Sequence, residues 1–379
     1  MPAFVGVLIF AFVVLVVIVA HESGHFFAAK AFDIKVEEFF VGFGPRLWSV
    51  RRGETEYGIK AIPAGGYVRI AGMNPFQEPP PEDLPRTFGA KPAWQRAIVL
   101  LAGSFTHFVL ALVFLAVFFG AIGLPERFAP RVAAVEPTLE GGSSPAAEAG
   151  IQSGDEFVEV DGRPVRSYQE FVEYTRDRAG QELQLVVDRD GERVSVRVTP
   201  VLSPVDGELV GRLGVTLTLG SVLERDRVNP VVALGRGARE VGRMAVGSVR
   251  AMGEIFSPSG IARIGRQLFG EESRDVERDP AGLVGAARLS GQAVEQGLFE
   301  VLFFLFAGFN VFVGILNLLP LPPLDGGHLA VVGIEKITGR RVDVRRLVPL
   351  TALVVGFLML FMVSLLYLDV TRPLPNPFR

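Results

Sequence analysis

The chain has 379 residues, 49% of them hydrophobic, and a mean hydropathy of +0.37. That is too apolar for an ordinary soluble protein and fits several membrane spans beside a modest soluble domain. A net charge of −3 argues against a nucleic-acid binder, and the lack of cysteine excludes disulfides and thiolate ligands, so any zinc must be held by His, Asp or Glu.

The first predicted element is an apolar helix over about 3–29, within a segment 1–30. Residues 3–20 carry no charge, enough for a span. No basic stretch precedes it, and cleavage after Ala20 would strand the polar cluster that follows at a new terminus. It therefore reads as a retained span and not a signal peptide. That cluster is His21-Glu22-Ser23-Gly24-His25. On a helix, His21 and His25 lie one turn apart on one face. Two imidazoles at that spacing can hold zinc, with Glu22 as general base on a water the ion activates. The duller reading is a polar cluster at a helix end, but three ionisable residues in a span are expensive without a function.

Residues 31–93 follow. Lys30, Lys35, Arg46, Arg51, Arg52 and Lys60 belong to a basic series that extends to Lys91 and reads as cytoplasmic. Within it, 57–61 and 67–70 alternate as two strands of a membrane-associated hairpin with Pro63 to Gly66 as its turn, and 74–92 reads as a loop. An unpaired hairpin edge beside the metal would let an extended substrate add main chain to main chain at Ile59, Ala61, Val68 or Ile70. The second span covers about 97–123 (segment 94–124). His107 lies about ten residues into it and reads as an interhelical hydrogen-bonding group, not a ligand.

Residues 130–218 change character. Strand 132–135, a short helix from Ser144, strand 157–160, a helix from Ser167 to about Arg178, and alternating runs across Asp190-Gly191 predict an independent α+β domain. Residues 221–296 predict an amphipathic connection, with Val241, Met244, Ala245, Met252 and Ile255 on one face and Arg236, Arg239, Arg243 and Arg250 roughly opposite. The third span covers about 298–319, in a segment 297–328 that ends with Asn317-Leu-Leu-Pro320-Leu-Pro322-Pro323-Leu-Asp325-Gly-Gly-His328. The prolines end the helix and the glycines permit a tight turn next to a ligand. The fourth span is 348–368, within 329–379, after a short basic connection. Four spans place the N-terminus, residues 124–297 and the C-terminus outside, and bring Asp325 to the same membrane side as His21 and His25. One carboxylate then meets two imidazoles, leaving a fourth zinc position open.

Pro145-Ala-x-x-Ala-Gly-Ile-x-x-Gly-Asp155 with its following strand and turn resembles a bacterial PDZ domain. His21-Glu-x-x-His25 together with the Asn317–His328 motif resembles the site-2 proteases, the intramembrane zinc proteases of regulated intramembrane proteolysis. Phe40-Val-Gly-Phe-Gly-Pro45, Gly53-Glu-Thr-Glu-Tyr57 and Gly72-Met73 resemble their actinobacterial, single-PDZ branch. The resemblance implies an α-helical polytopic membrane protein of four spans, with a cytoplasmic β-hairpin region and an inserted extracytoplasmic PDZ-like domain, in the inner (plasma) membrane. It implies His21, His25 and Asp325 as zinc ligands, Glu22 as base, Asn317 as a polar group near the scissile carbonyl, and the 57–70 hairpin as the substrate-holding strand. The implied substrates are single-span membrane proteins already shortened outside the membrane, such as anti-sigma factors. The PDZ-like domain would filter by size or bind a peptide tail. One departure stands out: the family usually has Gly-Pro-x-x-Asn in the second span, and this chain has Gly103-Ser104-Phe105-Thr106-His107. Two other readings stay open on the residues alone. A membrane-tethered zinc protease with an aqueous site would need Glu37, Glu38 or Glu56 as a ligand, and a non-enzymatic PDZ adaptor would need no metal.

Overall fold

The computed structural model describes residues 2–377 apart from Pro75, Glu78, Asp206 and Glu277, so those two positions of the expected 74–92 loop lie outside the described residues. The chain divides into two units, residues 1–118 with 230–379, and residues 119–229.

Helix α1 (Pro2–Ala31) is apolar on every side up to His21, the pattern of a helix able to cross a membrane. Strands β1 (Val36–Arg52) and β2 (Thr55–Ile70) follow, joined at Gly53 and Glu54, where Gly53 takes φ +61°. The expected turn at Pro63 to Gly66 falls where the chain reverses direction, but the hairpin is corrected, because 57–61 and 67–70 do not pair with each other. The register explains why: residues 46–52 pair with 55–60, while 36–41 pair with both 66–70 and 56–59. The two alternating runs flank 36–41 and run in opposite directions, and 66–70 is an outer edge. Helix α2 (Ala93–Val117) starts after Pro92 and continues as a π-helical turn to Ile122. Ala29, Ile34, Val36, Ile70 and Val99 are buried together and fasten the sheet to the ends of α1 and α2. Each of the Val and Ile side chains contributes about 1.5–3 kcal/mol on full burial.

The second unit runs through β3 (Leu124–Val135), β4 (Thr138–Leu139), β5 (Gly142–Ser143), α3 (Pro145–Glu148), β6 (Glu156–Val160), β7 (Arg163–Pro164), α4 (Tyr168–Arg176), β8 (Leu183–Arg189), β9 (Glu192–Val198), β10 (Val201–Val205), β11 (Glu208–Arg212) and β12 (Val215–Asp226). Its main sheet has the order β12-β3-β6-β8-β9, with β7 on β6. Asp161-Gly162 and Asp190-Gly191 all take positive φ, which matches the tight hairpin turn their sequence announces. Ser167 accepts the Glu170 amide and caps α4. Phe157 stacks on Phe171 with centroids 4.3 Å apart, over buried Leu183, Leu185 and Val187. The sheet is wider than the expected 130–218, because β3 and β12 stay paired out to Leu124 and Asp226.

The expected connection 221–296 resolves beyond β12 into three helices, α5 (Pro230–Ile255), α6 (Pro258–Phe269) and α7 (Leu283–Glu295). On α5, Met252 and Ile255 are buried while Arg243 points outward, so the helix packs by the predicted face. Helix α7 touches α1 where glycines meet: a Cβ on Gly6 would stand 2.6 Å from the Gly291 Cα. Helix α8 (Phe299–Asn317) ends at the proline run, and α9 (Asp325–Thr338) begins at the aspartate, so Asp325 opens a separate helix and does not extend the third span. Helix α10 (Val348–Thr371) closes the chain, and its Asp369 pairs with buried Arg274 and accepts the Gly285 amide at the start of α7. Helices α1, α2, α8 and α10 are long and apolar enough to cross a membrane.

Candidate metal centre

The site begins where α1 and α2 approach without side chains between them. A Cβ on Gly24 would lie 2.5 Å from the Ala102 carbonyl oxygen, and one on Gly103 would lie 2.1 Å from His25 Nε2. Glycine at both positions is a requirement of that contact. The loop after α8 then folds back over the first turn of α9: a Cβ on Gly326 would fall 2.2 Å from the Leu318 carbonyl oxygen. This fold-back carries Asp325 to the two imidazoles. A buried ion pair from Arg96 Nη1 to Glu335 Oε2, 2.7 Å long, ties α9 to α2 behind it.

His21, His25 and Asp325 converge with one donor atom each, all within 4.8 Å of one another. The His21 and His25 Nε2 atoms are 3.2 Å apart, His25 Nε2 is 3.4 Å from Asp325 Oδ1, and His21 Nε2 is 3.6 Å from Asp325 Oδ2. Ligands about 2.0–2.1 Å from a tetrahedral zinc are separated by about 3.3–3.4 Å. The three residues thus fit that ion by donor type, and each pairwise approach lies near that spacing, the carboxylate turning a different oxygen to each ring. Among the described residues this is the one such group, and Glu37, Glu38 and Glu56 are not in it. Those carboxylates pair with Arg69 and Arg46 instead, which removes the ligand required by the aqueous-site reading.

The other imidazole nitrogens are also engaged. His25 Nδ1 is 2.8 Å from the Val99 carbonyl oxygen, and His21 Nδ1 is 3.1 Å from His107 Nε2. Ser104 Oγ donates to Asp325 Oδ2 at 3.2 Å.

Two cavities meet at His21 and Glu22. One, of about 220 Å³, is lined by Val14, Val17, Gly66, Phe309 and Asn317. The other, of about 210 Å³, is lined by Val68, Ile70, Met73, Asp325 and His328. The edge 66–70 borders both. Ala71 N–H donates to the Lys35 carbonyl, so by strand alternation the amides of Val68 and Ile70 face away from β1. The Val68 backbone already interacts with the Glu22 carboxylate. Ile59 and Ala61, also expected at the edge, are not brought to the site. Ile59 pairs with Val41 on one side and Trp48 on the other, and Ala61 sits between Lys60, paired with Arg46, and Ile62, paired with Phe43. An inner strand has no free amides to offer. A larger cavity of about 510 Å³ beside Phe256, Leu319 and Phe357 is wholly apolar and holds no reactive group.

Comparison with known proteins gives the family. The sequence pattern of peptidase family M50 matches residues 9–363. The chain belongs to peptidase family M50. Zinc metalloprotease Rip1 of Mycobacterium tuberculosis is 34% identical to it across 99% of this chain and 98% of the relative. The protein of the same name in Mycolicibacterium smegmatis is 35% identical across 98% of both chains, and metalloprotease MmpA of Caulobacter vibrioides is 33% identical across 87% of this chain and 86% of its own. A PDZ domain of an SdrC-like protein from Listeria innocua is 20% identical and covers 25% of this chain at a TM-score of 0.21, too low to define a fold.

This M50 chain is a zinc metalloprotease, as the site-2 protease resemblance implied, and the adaptor reading falls. Of three further residues at the centre, only Asn310 lies outside the motifs quoted from the sequence, and His328 and Met73 stand within them. Asn310 was discoverable, as a lone amide within an apolar run. His328 was too, standing three residues after Asp325 on the same helix. Met73 belongs to the Gly72-Met73 match, and the end of the sheet carries it to the cavity.

Proposed function

We propose that the chain is an intramembrane endopeptidase that cuts single-span membrane proteins, such as pre-cleaved anti-sigma factors, within or near their transmembrane segments. The observation that carries this is the convergence of His21, His25 and Asp325 at tetrahedral spacing, between apolar helices and beside a free strand edge. In this reading those three residues hold zinc. Zinc in such a site acidifies water and polarises a carbonyl. Glu22, at the junction of both cavities, takes the proton of the attacking water and later delivers it to the leaving amine. A helical substrate has its carbonyls hydrogen-bonded internally, so the scissile segment must be extended. The outward amide of Ile70 supplies a partner for an extended chain, that of Val68 a second once it leaves Glu22, and Asn317 faces the substrate from the other wall.

The basic segments 30–91 and 336–346 support a cytoplasmic position for the sheet and for the metal end of α1, in the inner membrane, with residues 124–226 outside. That outer domain would act on the substrate's trimmed end as a PDZ-like size filter or tail binder. The test is cleavage and zinc content measured together in purified full-length protein. Glu22→Gln is expected to abolish cleavage with zinc retained, and Asp325→Ala to lower both, since two imidazoles alone make a poor site. Turnover by Glu22→Gln at a comparable rate would sink the base assignment, and undiminished zinc in Asp325→Ala would point to another third ligand.

A further inference from the structure

All three candidate ligands are contacted by one helix, α2, at Val99, Ser104 and His107. Positions 99, 103 and 107 follow each other at one-turn intervals, so they form a line facing α1, with Gly103 leaving room for the His25 ring. We propose that Ser104 and His107 are paired positioning residues for the metal ligands, Ser104 for Asp325 and His107 for His21, with Asn310 as the anchor of His107. This rests on the zinc reading given above.

The direction of each hydrogen bond follows from chemistry. An imidazole that holds a metal through Nε2 keeps its proton on Nδ1 and must donate it. For His25 the acceptor is the Val99 carbonyl, which can only accept. For His21 the partner is His107 Nε2, which must then be the unprotonated nitrogen. His107 therefore carries its proton on Nδ1 and donates to Asn310 Oδ1, 3.2 Å away. Asn310 in turn donates through Nδ2 to the Phe306 carbonyl oxygen at 2.8 Å. A flipped Asn310 amide would set donor against donor at one end and acceptor against acceptor at the other. One consistent assignment thus runs from the metal outward through three helices. His107 is 2% exposed and Asn310 is fully buried, so loss of either partner leaves a buried polar group short of a hydrogen bond.

Ser104 works on the other side of the ion. Its donation to Asp325 Oδ2 restrains carboxylate rotation while Oδ1 faces His25. Ser104 and His107 stand where the family pattern usually has proline and asparagine. Proline has no hydroxyl to give. Asparagine is too short to reproduce both contacts of the imidazole, which reaches from His21 to Asn310. The two departures therefore bring contacts that the usual residues could not make in full, each to a different ligand.

The test uses the full chain in detergent, with zinc affinity measured by chelator competition and the visible absorption of the cobalt-substituted protein recorded. His107→Ala is expected to weaken zinc about 10–100-fold, to shift the cobalt bands, and to be partly restored in His107→Asn. Asn310→Ala combined with His107→Ala should cost little more than His107→Ala alone, because both break one chain. Ser104→Ala should weaken zinc roughly 3–10-fold, and its effect should multiply with that of His107→Ala, because a different ligand is affected. Wild-type and variant folding is checked by thermal unfolding of the metal-free forms. If wild type binds one zinc and His21→Ala loses it, while His107→Ala binds within twofold of wild type with unchanged cobalt bands, the positioning role is overturned and the zinc site stands. If wild type holds no stoichiometric zinc, both readings fall.

Discussion

Glu54 sits in the turn between β1 and β2, where Arg86 grips its carboxylate from two nitrogens at 2.6 and 3.1 Å and Lys30 adds a third bond. The Arg86 hydrogen bonds, reinforced by Lys30, hold its pKa at about 2, down from 4.5, against the opposing effect of partial burial. A carboxylate with a depressed folded-state pKa stabilises the fold fully above its unfolded pKa, and that contribution disappears as pH falls through the folded value. The window here runs from about 4.5 down to about 2. Because the group is partly exposed, the gain is no more than about 1 kcal/mol. Glu54→Gln is expected to unfold at a slightly lower temperature than wild type at pH 7, with the gap closing as pH is lowered through that window. A gap that stays constant with pH would show that the charge is not what matters. The same residue joins the end of α1 to the loop at 81–86, so it steadies the sheet on which the substrate edge depends.

At the scale of elements, β2 divides into an inner and an outer half, and this makes its two ends unequal. Ile70 is at the outer edge with its amide turned away from β1, whereas Ile59 is paired on both sides. Proline removes one donor and is tolerated at an edge, but not within a ladder. Ile70→Pro also removes a buried side chain, so a lowered melting temperature is expected, and the protein that stays folded with zinc bound should cleave a membrane substrate at least tenfold more slowly. Ile59→Pro is expected to disrupt the sheet itself, seen as lost protein yield or a lowered melting temperature. Normal cleavage by a folded Ile70→Pro protein would remove the edge from the mechanism. Val68 is a poorer probe, because its backbone also interacts with Glu22 and a loss there would report on two effects together.

At the scale of the whole molecule, residues 119–229 form a unit with its own sheet and core, and the candidate ligands all belong to the other unit. The ends of the smaller unit are the paired strands β3 and β12, which close on each other from Val135 and Val215 to Leu124 and Asp226. Residues 124–226 produced alone are expected to fold cooperatively, as measured by urea denaturation. Leu185→Ala, which empties a fully buried position, should lower that stability by about 2–5 kcal/mol. A broad, non-cooperative transition for the isolated segment would mean that its core depends on the rest of the chain.

The sequence by itself determined the features that depend on local chemistry. Four apolar runs read as spans because hydrocarbon admits no charge over that length. His21 and His25 shared a face because a helix repeats every 3.6 residues. Asp161-Gly162 and Asp190-Gly191 read as turns because those residues tolerate positive φ. Asp325 was legible as a partner only through its motif and the count of spans. What the tertiary structure decided are matters of pairing between distant segments, for which periodicity holds no information. Strand alternation is the same on an inner strand as on an edge, so Ile59 looked equivalent to Ile70 until 36–41 was found between two stretches of β2. The proton order from His21 through His107 to Asn310 joins residues 86 and 203 positions apart. It exists because glycines let α1 and α2 touch, and a contact between helices is written in neither helix alone.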